Sequence, residues 1–64
     1  MNFVDKNFKT AEEGIKKLKE AVAIRNKMCG AMYWNMLNDD CIEIAYKLKD
    51  MGVDTAEINK ILNG

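Results

Sequence analysis

Three places in the sequence carry the residue spacing of a helix N-terminus, in which a short oxygen-bearing side chain is followed three positions later by a glutamate. The short side chain can accept a hydrogen bond from the backbone N–H three residues on, and the glutamate can reach back to the N–H of the cap. Three such pairs predict an all-α protein, built as a three-helix bundle or as a helical hairpin with a short third C-terminal helix. The pairs are Thr10 with Glu13, Asp40 with Glu43, and Asp54 with Glu57.

The third helix start is specified by its flanking residues as well. Val53 before the cap and Ile58 at the fourth helical position match a hydrophobic staple, and Gly52 stands where a glycine commonly ends the preceding helix. The helix that follows is about nine residues long, which is marginal for an isolated helix in water. We therefore expect it to dock on the other two helices through Ile58, Ile61 and Leu62.

The end of the first helix is open to two interpretations. In the first, which we favour, helices cover about residues 10–37, 40–51 and 54–63, and Asn38–Asp39 turns the chain. This interpretation places polar residues in the turn and keeps the predicted cap at the start of the second helix.

In the second interpretation the first helix stops near Cys29, Gly30 makes the turn, and one long helix runs from about Ala31 to Met51. A single long helix would align six residues at spacings of 3-4-3-4-3 into one apolar stripe. The weakness of this interpretation is a very apolar turn, followed by a helix start without a capping side chain. The stripe would consist of Trp34, Leu37, Cys41, Ile44, Leu48 and Met51.

All 64 residues are expected to form a single small helical domain, because a chain of this length supports at most one core. The segment Met1–Lys9 precedes the first helix and contains Phe3, Val4 and Phe8. We expect this segment to be an irregular arm whose aromatic side chains pack onto the helices.

Ile15, Leu18 and Val22 give the first helix an apolar face. Arg25 interrupts the apolar face, and we expect its aliphatic stem to cover apolar surface while the guanidinium reaches water. Arg25 and four lysines could form a basic strip, but the spacings of Glu12–Lys16 and Glu13–Lys17 favour an ordinary solvated helix face. The four lysines are Lys16, Lys17, Lys19 and Lys27.

The composition argues against several classes of protein. Ten basic and ten acidic residues cancel, and 48% of the residues are hydrophobic, which disfavours both disorder and strong non-specific binding to nucleic acid. No uncharged stretch is long enough to span a membrane, and the first ten residues lack the apolar region of a signal peptide. We therefore expect a cytoplasmic protein without a membrane partner.

The residue types that are missing limit the chemistry of the chain. It contains no histidine and no serine, so Ser-His-Asp and Cys-His arrangements cannot form within one chain. Cys29 and Cys41 are too few for a tetrahedral zinc site, and no helix arrangement brings them within disulfide distance, so we expect reduced, mostly buried thiols. Asp39, Asp40 and Glu43 offer too few oxygens for a hard cation. We expect no enzymatic activity, cofactor, metal or small-molecule substrate.

The most unusual segment is Met28–Leu37, ten residues without a charge. As a helix it would be apolar nearly all the way round, and two other short helices can hardly cover every side. Monomers rarely expose a large apolar patch, and interfaces are enriched in Met, Tyr and Trp. The segment is either the centre of the core or, in our preferred interpretation, an interface with a second copy or with another protein. The interface residues would be Met28, Met32, Tyr33, Trp34 and Met36.

These features favour a non-enzymatic protein-interaction module that self-associates as a dimer, or docks on a larger protein as an inhibitor or adaptor, or both. Residues 1–27 carry a net charge of +3 (seven basic, four acidic) and residues 28–64 one of −3 (three basic, six acidic). Acidic residues at helix N-termini explain much of this asymmetry, and charge complementarity between protomers is the alternative. Nine lysines against one arginine indicate an AT-rich gene, which suits a phage or mobile-element product.

An alternative function is that of a small helix-turn-helix DNA-binding regulator. The segment Leu48–Leu62 combines a helix end, a turn at Gly52 and a short capped helix whose outward residues include Thr55, Asn59 and Lys60. Asparagine and lysine can read base edges or contact phosphates. The short helix has no arginine and has acidic residues nearby, so a simple corner between two helices is the preferred interpretation.

Overall fold

Residues 5–64 are described by a computed structural model, and they fold into three α-helices. Helix α1 spans Ala11–Lys27, α2 spans Ala31–Asp50 and α3 spans Thr55–Leu62. The largest interface lies between α1 and α2, and the short α3 docks against both. The predicted all-α, three-helix architecture is confirmed, and residues 5–64 contain no strand. None of the helices in this part of the chain combines the length and apolarity needed to cross a membrane.

The favoured position of the turn between the first and second helices was wrong. The chain does not turn at Asn38–Asp39; α1 ends at Lys27, Met28–Gly30 forms the link, and α2 runs unbroken from Ala31. The physical reason is a stripe of four α2 side chains without exposed surface, which a turn at residue 38 would divide. These side chains are Leu37, Cys41, Ile44 and Leu48.

The predicted cap at Asp40 was therefore wrong as well, because Asp40 and Glu43 lie in the middle of α2. Both carboxylates face Lys6, whose Nζ lies 2.9 Å from Glu43 Oε2 and 3.3 Å from Asp40 Oδ1. Hydrogen bonds to Glu43 and then Asp40 raise the pKa of Lys6. The first turn of α2 contains no acidic residue, so the helix-dipole explanation of the charge asymmetry fails for this helix.

Thr10 and Asp54 are N-caps, as predicted. The Glu13 N–H donates to Thr10 Oγ1 at 3.2 Å, three residues on as predicted. The donor to Asp54 Oδ1 is the Ala56 N–H at 3.1 Å, two residues on rather than the predicted three. The return contact of Glu13 differs from the prediction, because its Oε2 accepts from the Lys9 N–H at 3.5 Å, one residue before the cap. The local signals thus place the starts of α1 and α3 correctly.

Gly52 ends α2 in the left-handed conformation, with a φ of 94°. The Val53 N–H donates to the Leu48 carbonyl and the Gly52 N–H donates to the Lys49 carbonyl, each at 3.0 Å. These two bonds form a Schellman motif, in which glycine avoids the strain that a Cβ would create. Val53 then packs against the core cluster to which Ile58, its predicted staple partner, also belongs.

Residues of the segment 5–9, which precedes α1, contact the helices. Phe8 packs on the core, as predicted, and Lys17 Nζ on α1 lies 2.6 Å from Asp5 Oδ2. The hydrogen bond from Lys17 lowers the pKa of the Asp5 carboxyl. The predicted packing of Phe3 and Val4 lies outside the described residues.

Both cysteines are free thiols, but only one of them is buried. The prediction of mostly buried thiols is therefore confirmed for Cys41 and wrong for Cys29, which lies in the exposed link before α2. Burial raises the pKa of the Cys41 thiol, which keeps it in the neutral form.

Candidate protein-interaction surface

The first six residues of α2 are all exposed, and Leu37 is the first α2 residue to enter the core. We call the segment Ala31–Met36 the α2 tip. It contains no charged side chain and four large apolar ones, so the interpretation of this region as the centre of the core fails here. The four exposed side chains are Met32 (81% exposed), Tyr33 (54%), Trp34 (37%) and Met36 (43%).

The five residues predicted as an interface do not share one environment. Met28 precedes α2, is half-buried and packs against the core, so it lies outside the exposed surface. Met32 and Met36 are about one turn apart and share a side of α2. Trp34 lies about half a turn from each of them, and its ring meets Arg25 of α1. The exposed part of the predicted set is therefore the α2 tip.

Arg25 is the buried polar centre of the molecule, with only 7% of its surface exposed. Its Nη1 donates to Asn38 Oδ1 on α2 at 2.9 Å, and its Nη2 donates to the Leu62 carbonyl of α3 at 2.8 Å. Nε and Nη2 both donate to Asn26 Oδ1 on α1, at 3.1 Å and 3.0 Å. The expectation that this guanidinium reaches water was wrong, because it links all three helices.

The contact between Arg25 and Trp34 connects this polar centre to the tip. The guanidinium carbon lies 4.9 Å from the centroid of the Trp34 ring, within the range of a cation–π interaction. The Leu62 carbonyl lies at the C-terminal end of α3, where the helix dipole favours a cation. The guanidinium thus holds Trp34 in place beside the bundle.

The N-terminus of α2 lacks the usual local stabilisation. Gly30 is the N-cap residue, and no side chain caps the first-turn N–H groups. The first turn also has no acidic residue to favour the helix dipole. The contact between Trp34 and Arg25 is one tertiary contact that holds this helix end against the bundle.

A second exposed apolar area, which sequence reasoning missed, lies beside α3. Ile42 is 36% exposed and Tyr46 is 66% exposed. With Thr55 and Asn59 they line a groove of about 270 Å³ between α2 and α3. Ile42 and Tyr46 are one turn apart and lie off the buried stripe, a spacing that was visible in the sequence under either interpretation of α2.

The residues proposed for nucleic-acid contact are all exposed but do not form one patch. Thr55 and Asn59 are about one turn apart and face the groove beside α2. Lys60 lies about 100° further round α3 than Asn59. The helix therefore presents its amide and its lysine on different sides.

The basic strip proposed for α1 does not assemble. Arg25 is buried, and Lys17 pairs with Asp5 at 2.6 Å rather than with Glu13 as the spacing predicted. The remaining lysines of the strip stay exposed on α1. Residues 5–64 contain no group of three or more side chains arranged to hold a metal ion.

Comparison of the chain with protein-family models, curated proteins and solved structures found no match. No relative therefore suggests a ligand or a partner. The most unusual part of the protein surface is the α2 tip, an uncharged helix end. It contacts Arg25 on one side and is exposed to solvent on the others.

Proposed function

We propose that this protein is a non-enzymatic interaction module that self-associates, or docks on a larger protein as an inhibitor or adaptor, through the α2 tip. The observation that carries the proposal is the exposure of Met32, Tyr33 and Met36 on an uncharged helix end. Apolar surface removed from water contributes roughly 25 cal/mol per Å². A partner that covers the tip therefore gains free energy from a surface that monomers rarely leave open.

The construction of the tip also favours binding. The contact between Trp34 and Arg25 anchors the helix end, and the helical backbone holds Met32 and Met36 on one side. A helix that is already formed loses less backbone conformational entropy when it binds than a disordered segment does. Methionine adapts to irregular partner surfaces, and the tyrosine hydroxyl can form a hydrogen bond at the rim of an interface.

The proposal includes a cytoplasmic location and no catalytic role. The free thiols of Cys29 and Cys41 favour a reducing compartment. The chain lacks histidine and serine, which supply most general bases and hydroxyl nucleophiles. No cofactor or metal is therefore part of the proposal.

A double glutamine variant, compared with a control variant, tests the role of the tip. Met32→Gln/Met36→Gln keeps side-chain length and helix propensity while removing apolar surface. Met51→Gln is the matched control, because Met51 is 43% exposed, as Met36 is, and lies at the other end of α2. Association is measured by light scattering at two well-separated concentrations, and by affinity capture from an extract of cells that produce the protein.

We expect the tip variant to lose association at least about tenfold, with itself or with a captured protein, while Met51→Gln behaves as the wild type. Circular dichroism verifies that both variants keep their helices. Equal association of the wild type and the tip variant would show that the tip is not the docking element.

DNA binding by α2, the turn and α3 is a second candidate function. The observation that favours it is the Schellman turn at Gly52, which leads into a capped helix with Thr55, Asn59 and Lys60 exposed. It has less support, because Glu57 cancels the single positive charge of α3. Fluorescence anisotropy of a labelled duplex at low salt tests it; salt-dependent binding that Lys60→Ala weakens would support it, and absence of binding would exclude it.

A further inference from the structure

Helix α2 carries two stripes of residues with the same 3-4-3-4-3 spacing. The first runs from Trp34 to Met51 and its middle four members are buried in the bundle. The second is displaced by two residues toward the N-terminus, which places it about 200° round the helix, and all its members are exposed. We call it the outer stripe: Met32, Asn35, Asp39, Ile42, Tyr46 and Lys49.

The outer stripe has the spacing that lets one helix pack along another, because residues alternately three and four apart stay on one side over successive turns. Ile42 and Tyr46 form its apolar centre. Asp39 lies before this centre and Lys49 after it, so the two ends carry opposite charges. That order of charges is complementary to the same helix running in the opposite direction.

We infer that a second copy of this chain covers the outer stripe, with the two α2 helices antiparallel. In this arrangement Ile42 lies opposite the partner's Tyr46, and Asp39 lies opposite the partner's Lys49. A two-fold axis repeats each pair, so the dimer closes on itself. The inference rests on the proposed function and deepens it, since it names the partner and extends the surface from the tip along α2.

Other alignments of the two helices are less favourable. A parallel pair would place Asp39 against Asp39 and Lys49 against Lys49. An antiparallel pair shifted by one heptad would place Asp39 against Ile42 and Lys49 against Met32. Like charges and unpaired charges both oppose association, so the Asp39–Lys49 register is the one the charges select.

The same register determines how far the α2 tip reaches along the partner. The two-fold axis passes at the level of Ile44, about 13.5 Å along the helix from Asn35 and about 9 Å from Asp50. The tip of each copy therefore extends past the end of the partner's α2, and Met36 is the tip residue nearest the interface between the two helices. Glu43, near the axis, is already paired with Lys6 at 2.9 Å, so two Glu43 side chains do not meet as free carboxylates.

Two charge reversals test the register. Asp39→Lys alone places two ammonium groups opposite each other in each pair, and Lys49→Glu alone places two carboxylates opposite each other. Each variant should associate with itself at least about tenfold more weakly than the wild type. An equimolar mixture of the two variants should form a heterodimer at least as readily as the wild type forms its dimer, because both cross-pairs are then attractive. Light scattering measures the mass of each sample.

Lys19→Glu controls for the change in net charge, because Lys19 is exposed on α1 outside the outer stripe, and it should associate as the wild type does. A wild type that stays monomeric at every concentration overturns the inference, while capture of a different protein through the tip would leave the proposed function standing. A mixture that is as monomeric as its components also overturns the inference. If the mixture stays monomeric but Met32→Gln/Met36→Gln weakens self-association of the wild type, the tip mediates a dimer with a different arrangement of the helices.

Discussion

The guanidinium of Arg25 reaches all three helices at once, through Asn26 on α1, Asn38 on α2 and the Leu62 carbonyl on α3. A buried cation costs free energy unless its N–H groups are paired. Within residues 5–64 the pairing is made by amide and carbonyl oxygens and by the face of Trp34, without a carboxylate. The planar fork of arginine, which directs several donors at fixed angles, is therefore as important as its charge.

We expect Arg25→Lys to lower the free energy of unfolding by about 2–3 kcal/mol, because one ammonium cannot reach acceptors on three helices and leaves part-buried oxygens unpaired. Urea unfolding followed by circular dichroism measures this loss. Lys19→Ala, an exposed change on the same helix, should stay within about 0.5 kcal/mol of the wild type. A lysine variant as stable as the wild type would show that the network contributes little.

At the scale of the element, α2 shows how burial outweighs a capping signal. A cap at Asp40 would contribute about 1 kcal/mol. Full burial of a side chain such as Leu37, Ile44 or Leu48 contributes about 1.5–3 kcal/mol each, and a break at residue 38 would take Leu37 out of line with the other two. The helix therefore continues through the polar residues Asn38–Asp40. It begins at Ala31, and its N-cap residue, Gly30, has no side chain to cap it.

Gly30→Asp should stabilise the protein by about 0.5–1 kcal/mol, because its carboxylate can accept from the first-turn N–H groups and favours the helix dipole. The backbone allows the change, since Gly30 has a φ of −114° and an added Cβ would meet only the Tyr33 ring, at 3.5 Å. Urea unfolding measures the gain. Gly30→Ala adds the same Cβ without the oxygen and should give no gain, so equal effects of the two variants would contradict capping.

At the scale of the whole molecule, the shared core makes stability depend on pH through Cys41. Burial raises the pKa of this thiol above its ordinary value of 9.0, and the nearby Arg25 charge opposes that effect. The unfolded chain therefore releases the thiol proton at a lower pH than the folded chain. This contribution to stability is fully present below pH 9.0 and is lost as the pH rises through the folded pKa.

The free energy of unfolding should therefore fall as the pH rises above 9.0, and it should fall less in Cys41→Ala. The slope with pH is compared, rather than the absolute stability, because the smaller side chain leaves a cavity. Cys29→Ala removes the exposed thiol and should keep the dependence of the wild type. An identical slope in Cys41→Ala would contradict the role of the buried thiol.

The sequence by itself determined that the chain forms three helices, where α1 and α3 begin and where α2 ends. The residues responsible are Thr10, Asp54 and Gly52, and each acts through hydrogen bonds to groups at most four residues away. Such bonds involve only neighbouring residues, and at these three positions tertiary packing does not override them, as it does at Asp40. The sequence also located the uncharged segment from which the α2 tip is built, because the absence of charge is a property of composition.

Only the tertiary structure decided where α1 stops, that Arg25 is buried and that Ile42 and Tyr46 remain exposed with the tip. These outcomes depend on contacts between residues distant in the chain, such as that between Arg25 and the Leu62 carbonyl, 37 positions away. A local pattern shows which side of a helix is apolar. Whether that side is covered depends on where the neighbouring helices end, and here α1 and α3 leave the first six residues of α2 uncovered.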